Sequence, residues 1–141
     1  LLTLEDKDRF AKSRMAAAFL GLRPRKQKSG SDDPQLRITK AGDPFVRRLL
    51  VLSANYILGP FGKDSDLRRW GLKLAERGGK NAKKRAKVAV ARKLAVLLHR
   101  LWVTGEVYEP LGYQARRLEN AAPEAKPTVA ESSSTEVNAP A

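Results

Sequence analysis

Arg25-Lys26-Gln27-Lys28-Ser29-Gly30-Ser31 sets a serine beside a glycine inside a run of cations. A hydroxyl that attacks a phosphodiester needs the phosphate neutralised before attack and the charge on the leaving oxygen held as it develops. Arg25, Lys26 and Lys28 supply positive charge around Ser29, and Lys40, Arg47 and Arg48 follow shortly after. The single histidine, His99, is remote in sequence, so a histidine-activated serine is not indicated. On local sequence alone the plainer account is an ordinary loop serine next to glycine, and Ser31 competes for the same role.

The second constellation is cationic. Between Arg68 and Arg100 stand twelve bases and one acid, Glu76. The densest stretch, Gly78-Gly79-Lys80-Asn81-Ala82-Lys83-Lys84-Arg85, opens a helix, where free backbone amides and the positive end of the helix add to the side-chain charge. A lone cluster of this kind is usually a solvated helix face. Here the balancing acids are missing: the net charge is +13, and because residues 119–141 carry −3, the first 118 carry +16. Such a domain repels itself unless a polyanion is near, and nucleic acid gains affinity by releasing counterions. The candidate DNA- or RNA-binding residues are therefore Arg25, Lys26, Lys28, Lys40, Arg47, Arg48, Lys80, Lys83, Lys84 and Arg85. A membrane surface is the weaker alternative, because the apolar helices are needed for a core.

Other chemistries are narrowed by composition. The chain has no cysteine, which excludes disulfides, thiolate metal sites and a cysteine nucleophile. One histidine excludes a multi-histidine metal centre, and His99 reads as a packing or helix-surface residue. Asp32-Asp33 and Asp64/Asp66 have plain readings as turn and cap residues, so no metal site and no bound cofactor are assigned to this chain. No apolar stretch is long enough to span a bilayer and no export signal is visible, so a cytoplasmic location is expected.

The elements that must position these residues are helical. Asp6 or Asp8 can cap a first helix from Asp8 to Leu20, ended by Gly21. A long basic loop, Arg23 to Gly42, follows, with Gln35 to Thr39 as a short extended piece. Asp43-Pro44 starts a helix to about Leu58 whose apolar stripe is Phe45, Leu49, Leu52 and Tyr56, widened by Leu50 and Ile57. Ser65 or Asp64 caps a third helix with Leu67, Trp70 and Leu74 on one face, ended by Gly78-Gly79. A fourth runs from Asn81 to Val103, with Ala86, Val90, Leu94, Leu97 and Leu101 inward. The expectation is an all-α domain of about four helices over residues 1–118, then a disordered acidic tail rich in Pro, Ala and Ser over 119–141.

From Asp8 to about Leu111 the chain resembles the C-terminal domain of insertion-sequence 110/116/902 family transposases. The resemblance lies in the order Asp8-Arg9-Phe10, Ala17-Ala18-x-Leu20-Gly21-Leu22-x-Pro24-Arg25, Ser29-Gly30-Ser31, Ile38-Thr39-Lys40-Ala41-Gly42 and Arg47-Arg48-Leu49-Leu50. The segment from Gly79-Lys80 to Ala95 is similar to the family's terminal helix. The resemblance implies a DNA recombinase in which Ser29 is the nucleophile. It places Arg25, Lys40, Gly42 and Arg47 or Arg48 at motif positions. It also implies an N-terminal RuvC-like domain that binds magnesium, a homo-oligomer, and in some members a guide RNA from the element. The chain opens Leu1-Leu2-Thr3 and its single methionine is Met15, so a C-terminal fragment of a longer protein or a truncated open reading frame is expected, inactive without that N-terminal domain.

Two functions of different class follow. In one, the chain binds DNA and supplies a serine for strand transfer in transposition. In the other, it is a non-catalytic basic helical module that holds DNA or structured RNA, indifferent to Ser29. A ribosomal-type structural protein fits the charge but neither the long apolar helices nor the motif order.

Overall fold

The computed structural model describes residues 3–27, 30–31 and 36–121. Five α-helices follow a short 3-10 turn: α1 Ser13–Phe19, α2 Pro44–Leu58, α3 Asp66–Glu76, α4 Ala82–Thr104 and α5 Tyr113–Ala121. Among the described residues β structure is limited to one antiparallel bridge, Pro24 with Ile38, so the architecture is all-α as expected. The tail expected to be disordered lies, beyond Ala121, outside the described residues.

α4 is the axis. Its 23 residues make a rod of about 35 Å, and α1, α2 and α3 each pack on it. Small side chains let them approach: Ala86, Val90, Ala91 and Ala95 of α4 are buried, with Ala17 of α1 and Ala54 of α2. Leu20, Leu22, Leu50 and Leu67 complete the core. Gly71 of α3 lies against Val90 and Leu58, where a side chain would intrude.

The first helix is shorter than the sequence suggests. The Asp6 carboxylate accepts from the Asp8 amide and caps only the turn Lys7–Arg9. Phe10 is extended, and its ring packs against Phe19 and His99. Burying that ring interrupts the helix before Ser13. His99 is correspondingly interior, 2% exposed, with Nε2 3.2 Å from the Lys7 carbonyl oxygen.

α2 departs most from expectation. Its caps are as read: Asp43 accepts from the Phe45 amide at 2.8 Å and Pro44 occupies the first turn. Its orientation is not. Phe45, Leu49, Leu52 and Tyr56 are 63, 47, 57 and 62% exposed. The face turned to the core is Val46, Leu50, Val51, Ala54, Ile57 and Leu58. Both faces are apolar at helical spacing, and the inner one has the small residue at its centre that close packing on α4 requires.

Successive helices are stapled by arginines. Arg68 of α3 donates through Nη1 to the carbonyl of Gly59 at 2.6 Å and to that of Ile57, closing the C-terminal end of α2. Ser65 caps α3 by accepting from the Arg68 amide at 3.1 Å. Asp66 ties the segment before α5 to α3: its amide donates to the Pro110 carbonyl and its carboxylate accepts from the Gly112 amide, both at 2.8 Å.

Candidate nucleic-acid interface

The basic loop begins from a tight helix end. Gly21, at φ +74, follows α1, and the Gly21 and Leu22 amides donate to the Ala18 and Ala17 carbonyls at 3.0 and 3.1 Å. This paired closure needs a left-handed residue, which glycine supplies without strain. The returning strand is laced to the outgoing one: Lys40 N to Gly21 O at 3.1 Å, Thr39 N to Arg23 O at 2.9 Å, and Arg25 N to Arg37 O at 2.9 Å. The loop is thus a two-armed ribbon, its arms fixed at 21–25 and 37–40.

Its base is over-determined. A Cβ on Gly21 would run into the Ala41 carbonyl, and one on Gly42 (φ +71) into the Phe19 carbonyl. Arg47 reaches back from α2 and donates through Nη1 to Leu20 O at 3.1 Å and Ala41 O at 2.7 Å. Within this knot Lys40 has φ +58, a left-handed conformation that costs an ordinary residue about 1–2 kcal/mol.

Between the ribbon and α4 lies a groove of about 600 Å³. Leu22, Pro24, Leu36, Ile38, Val88 and Ala89 form its apolar part. Arg25, Lys26, Arg37 and Lys40 enter from the ribbon and Lys84, Arg85 and Arg92 from α4. Among the described residues no acid lines it, and no described carboxylate forms an ion pair with any of these seven cations.

Of the residues singled out from sequence, Arg25, Lys26, Lys40, Lys84 and Arg85 meet in this groove. Lys80 and Lys83 are exposed near the start of α4 but do not line it. Arg48 is exposed on α2, while Arg47 is partly buried and turned onto carbonyls. Lys28 and Ser29 lie outside the described residues. Arg37 and Arg92 were missed. Arg92 is seven residues after Arg85 on one helix, a spacing that returns to the same face. Arg37 faces Arg25 only because of the antiparallel bridge, which local sequence does not specify.

Other cations of the basic stretch have internal duties. Arg69 pairs with Asp64, Nε to Oδ1 at 2.9 Å, and that hydrogen bond holds the exposed Asp64 carboxyl below its usual range. Lys93 Nζ lies 4.1 Å from the centre of the Trp70 ring. Burial pushes the Lys93 ammonium below the ordinary lysine range. Among the described residues no three histidine or acidic side chains gather to hold a metal ion, and no helix is long and apolar enough to cross a membrane.

The sequence model of the Transposase IS116/IS110/IS902 family matches residues 1–64. The chain is 38% identical over 104 residues to the transposase for insertion sequence element IS1111A of Coxiella burnetii, covering 73% of this chain and 28% of that protein. It is 33% identical over 106 residues to a probable family 20 transposase of Pseudomonas aeruginosa, covering 74% and 30%. A putative transposase of Sinorhizobium fredii is 30% identical over 118 residues, covering 82% and 30%. The chain therefore spans under a third of the length of these curated relatives. The matched stretch carries the Gly21-to-Arg25 turn, the Thr39-to-Gly42 return and the whole of α2, and the chain belongs to the IS116/IS110/IS902 family of transposases.

Proposed function

We propose that this chain is the DNA-holding, serine-bearing part of a transposase. The supporting observation is the groove at the base of the loop that carries Ser29, which among the described residues is lined by seven cations and no acid. In sequence, Ser29 falls between the two arms that bring Arg25-Lys26 and Arg37 into the groove. Among the described residues the apolar part of the groove holds no aromatic platform for stacked bases, which favours contact with the phosphate backbone over readout of base edges.

In the reaction, the Ser29 hydroxyl oxygen bonds to a DNA phosphorus. The bond from phosphorus to one deoxyribose oxygen breaks, and the serine proton ends on that departing oxygen. One ester replaces another, so a deoxyribose hydroxyl of a second strand can reverse the step without an external energy source. Groove cations neutralise the phosphate and stabilise the charge that develops. The described residues offer no ligand set for magnesium; in this reading it is held by the remaining part of the longer protein. Oligomerisation and use of an element-encoded guide RNA belong to the same reading.

The test is covalent capture. In the full-length protein, Ser29→Ala retains DNA binding and forms no protein–DNA adduct; an adduct formed by that variant overturns the assignment. Equal binding by both proteins with no adduct from either supports the second reading, a non-catalytic nucleic-acid module, which the same groove serves equally well.

A further inference from the structure

We infer that Arg25 and Arg37 clamp one phosphate between them at the neck of the basic loop, so that the DNA backbone itself joins the two arms. The inference rests on the DNA-holding reading and deepens it: two cations share a single phosphate, and one of them, Arg37, has no signal in the local sequence.

Register makes the pair. Pro24 bridges Ile38, the Thr39 amide donates to Arg23 O, and the Arg25 amide donates to Arg37 O, both at 2.9 Å. In this antiparallel register Arg25 stands directly opposite Arg37. Side chains of a directly opposed pair leave a ribbon on the same side, with their Cβ atoms about 5 Å apart. Both arginines are exposed, and both line the groove. Pro24 and Ile38 take the other side by alternation, and Ile38 packs against the core. The two guanidinium groups therefore share the rim.

Like charges directly opposite each other weaken a ribbon. Among the described residues the Arg25–Arg37 bond is the outermost backbone bond between the arms, so the repulsion falls on the last rung. No described carboxylate pairs with either arginine. A phosphate placed between them reverses the sign. Each guanidinium is a planar fork that donates two hydrogen bonds to phosphate oxygens, and the anion attracts both. Occupied, the clamp adds a rung beyond the last backbone bond. Residues 26–36, Ser29 among them, lie between its two ends in sequence. Arg25 and Arg37 are thus positioning residues for the proposed reaction.

Two measurements test the clamp. In the first, this chain is melted in inorganic phosphate and in chloride at equal ionic strength. Phosphate is expected to raise the wild-type midpoint by about 2–4 °C. Arg25→Gln and Arg37→Gln should each remove most of that gain, while Lys63→Gln, exposed between α2 and α3, keeps it. In chloride at low salt neither arginine variant should melt below wild type, because a repulsion has been removed. A lower midpoint would mean that a carboxylate of the chain already fills the gap, and it overturns the proposal. So does a wild type that phosphate does not stabilise, or a gain that survives both substitutions.

In the second, binding to a DNA duplex is compared for the two single variants and the double. Each single variant is expected to bind about tenfold more weakly. The double should lose no more than about threefold beyond either, because the remaining arginine has already lost the phosphate geometry it shared. Losses that multiply to about a hundredfold indicate two separate phosphates; they overturn the clamp and leave the DNA-holding reading intact. A wild type that phosphate stabilises but that binds no DNA overturns that reading and leaves the clamp as a site for free phosphate.

Discussion

Arg47 Nη1 lies 2.7 Å from the Ala41 carbonyl oxygen and donates to it while also reaching Leu20 O at 3.1 Å. One guanidinium thus joins the end of α1 to the turn that starts α2. Replacing it with methionine removes two charge-assisted hydrogen bonds and is expected to cost about 1.5–3 kcal/mol. Thermal melts of Arg47→Met check the loss. If Arg47 instead acts chiefly as a phosphate contact, the variant keeps its stability and the salt dependence of DNA binding becomes shallower; the hydrogen bonds predict the reverse.

Gly71 is set by packing rather than by backbone conformation. A Cβ there would stand 2.5 Å from Val90 Cγ2 and 2.7 Å from Leu58 Cδ2. Gly71→Ala gains about 1 kcal/mol of helix propensity, but overpacking against a fully buried valine costs about 1–3 kcal/mol. A net loss of stability is expected, read as a lower midpoint in urea. A midpoint at or above wild type would show that α3 can lift from α4 without penalty.

Binding to duplex DNA is expected to fall steeply with salt. Lys84→Ala and Arg85→Ala should each weaken it similarly on unrelated sequences and reduce the slope of log K against log salt by about one. Arg69→Ala, outside the groove and engaged with Asp64, serves as the control with an unchanged slope. Titrations at several salt concentrations distinguish the two sets.

The segment after α4 is expected to loosen in alkali. Burial pushes the Tyr108 and Tyr113 hydroxyls above their ordinary value of 10.0. The Tyr113 hydroxyl also donates to Glu106 Oε2 at 2.8 Å. The folded state thus holds these protons more tightly than the unfolded chain. The stability they contribute is complete below pH 10 and is lost as pH rises through the raised values. Lys93, held below its ordinary value of 10.5, acts in the opposite sense, because its neutral form suits the fold better. Tyr113→Phe isolates the tyrosine contribution: it should flatten the alkaline decline in melting temperature.

Local signals were legible in the sequence. Asp43-Pro44 and Ser65 start their helices as read, because caps depend on neighbouring residues. Gly21 ends its helix in a left-handed conformation for the same reason. The groove was half legible: Lys84 and Arg85 stand together in the dense basic run, but Arg37 joins them only through a bridge across the loop. The facing of α2 was not legible, because Phe45-Leu49-Leu52-Tyr56 and Leu50-Ala54-Ile57 both satisfy helical periodicity. The orientation turns on Ala54, small enough to sit against α4. α5 was missed because its start is tied to Asp66, distant in sequence.

Arg47 and Arg68 join consecutive helices by bonding to backbone carbonyls rather than to carboxylates. A carbonyl carries no net charge, so neither salt nor a polyanion competes for it as strongly as for the cation of an exposed ion pair. Cohesion and the proposed DNA contact therefore draw on separate partners. Under the proposed function, DNA would occupy the groove cations without loosening these joints, and raising salt is expected to strip the DNA while leaving the helices assembled.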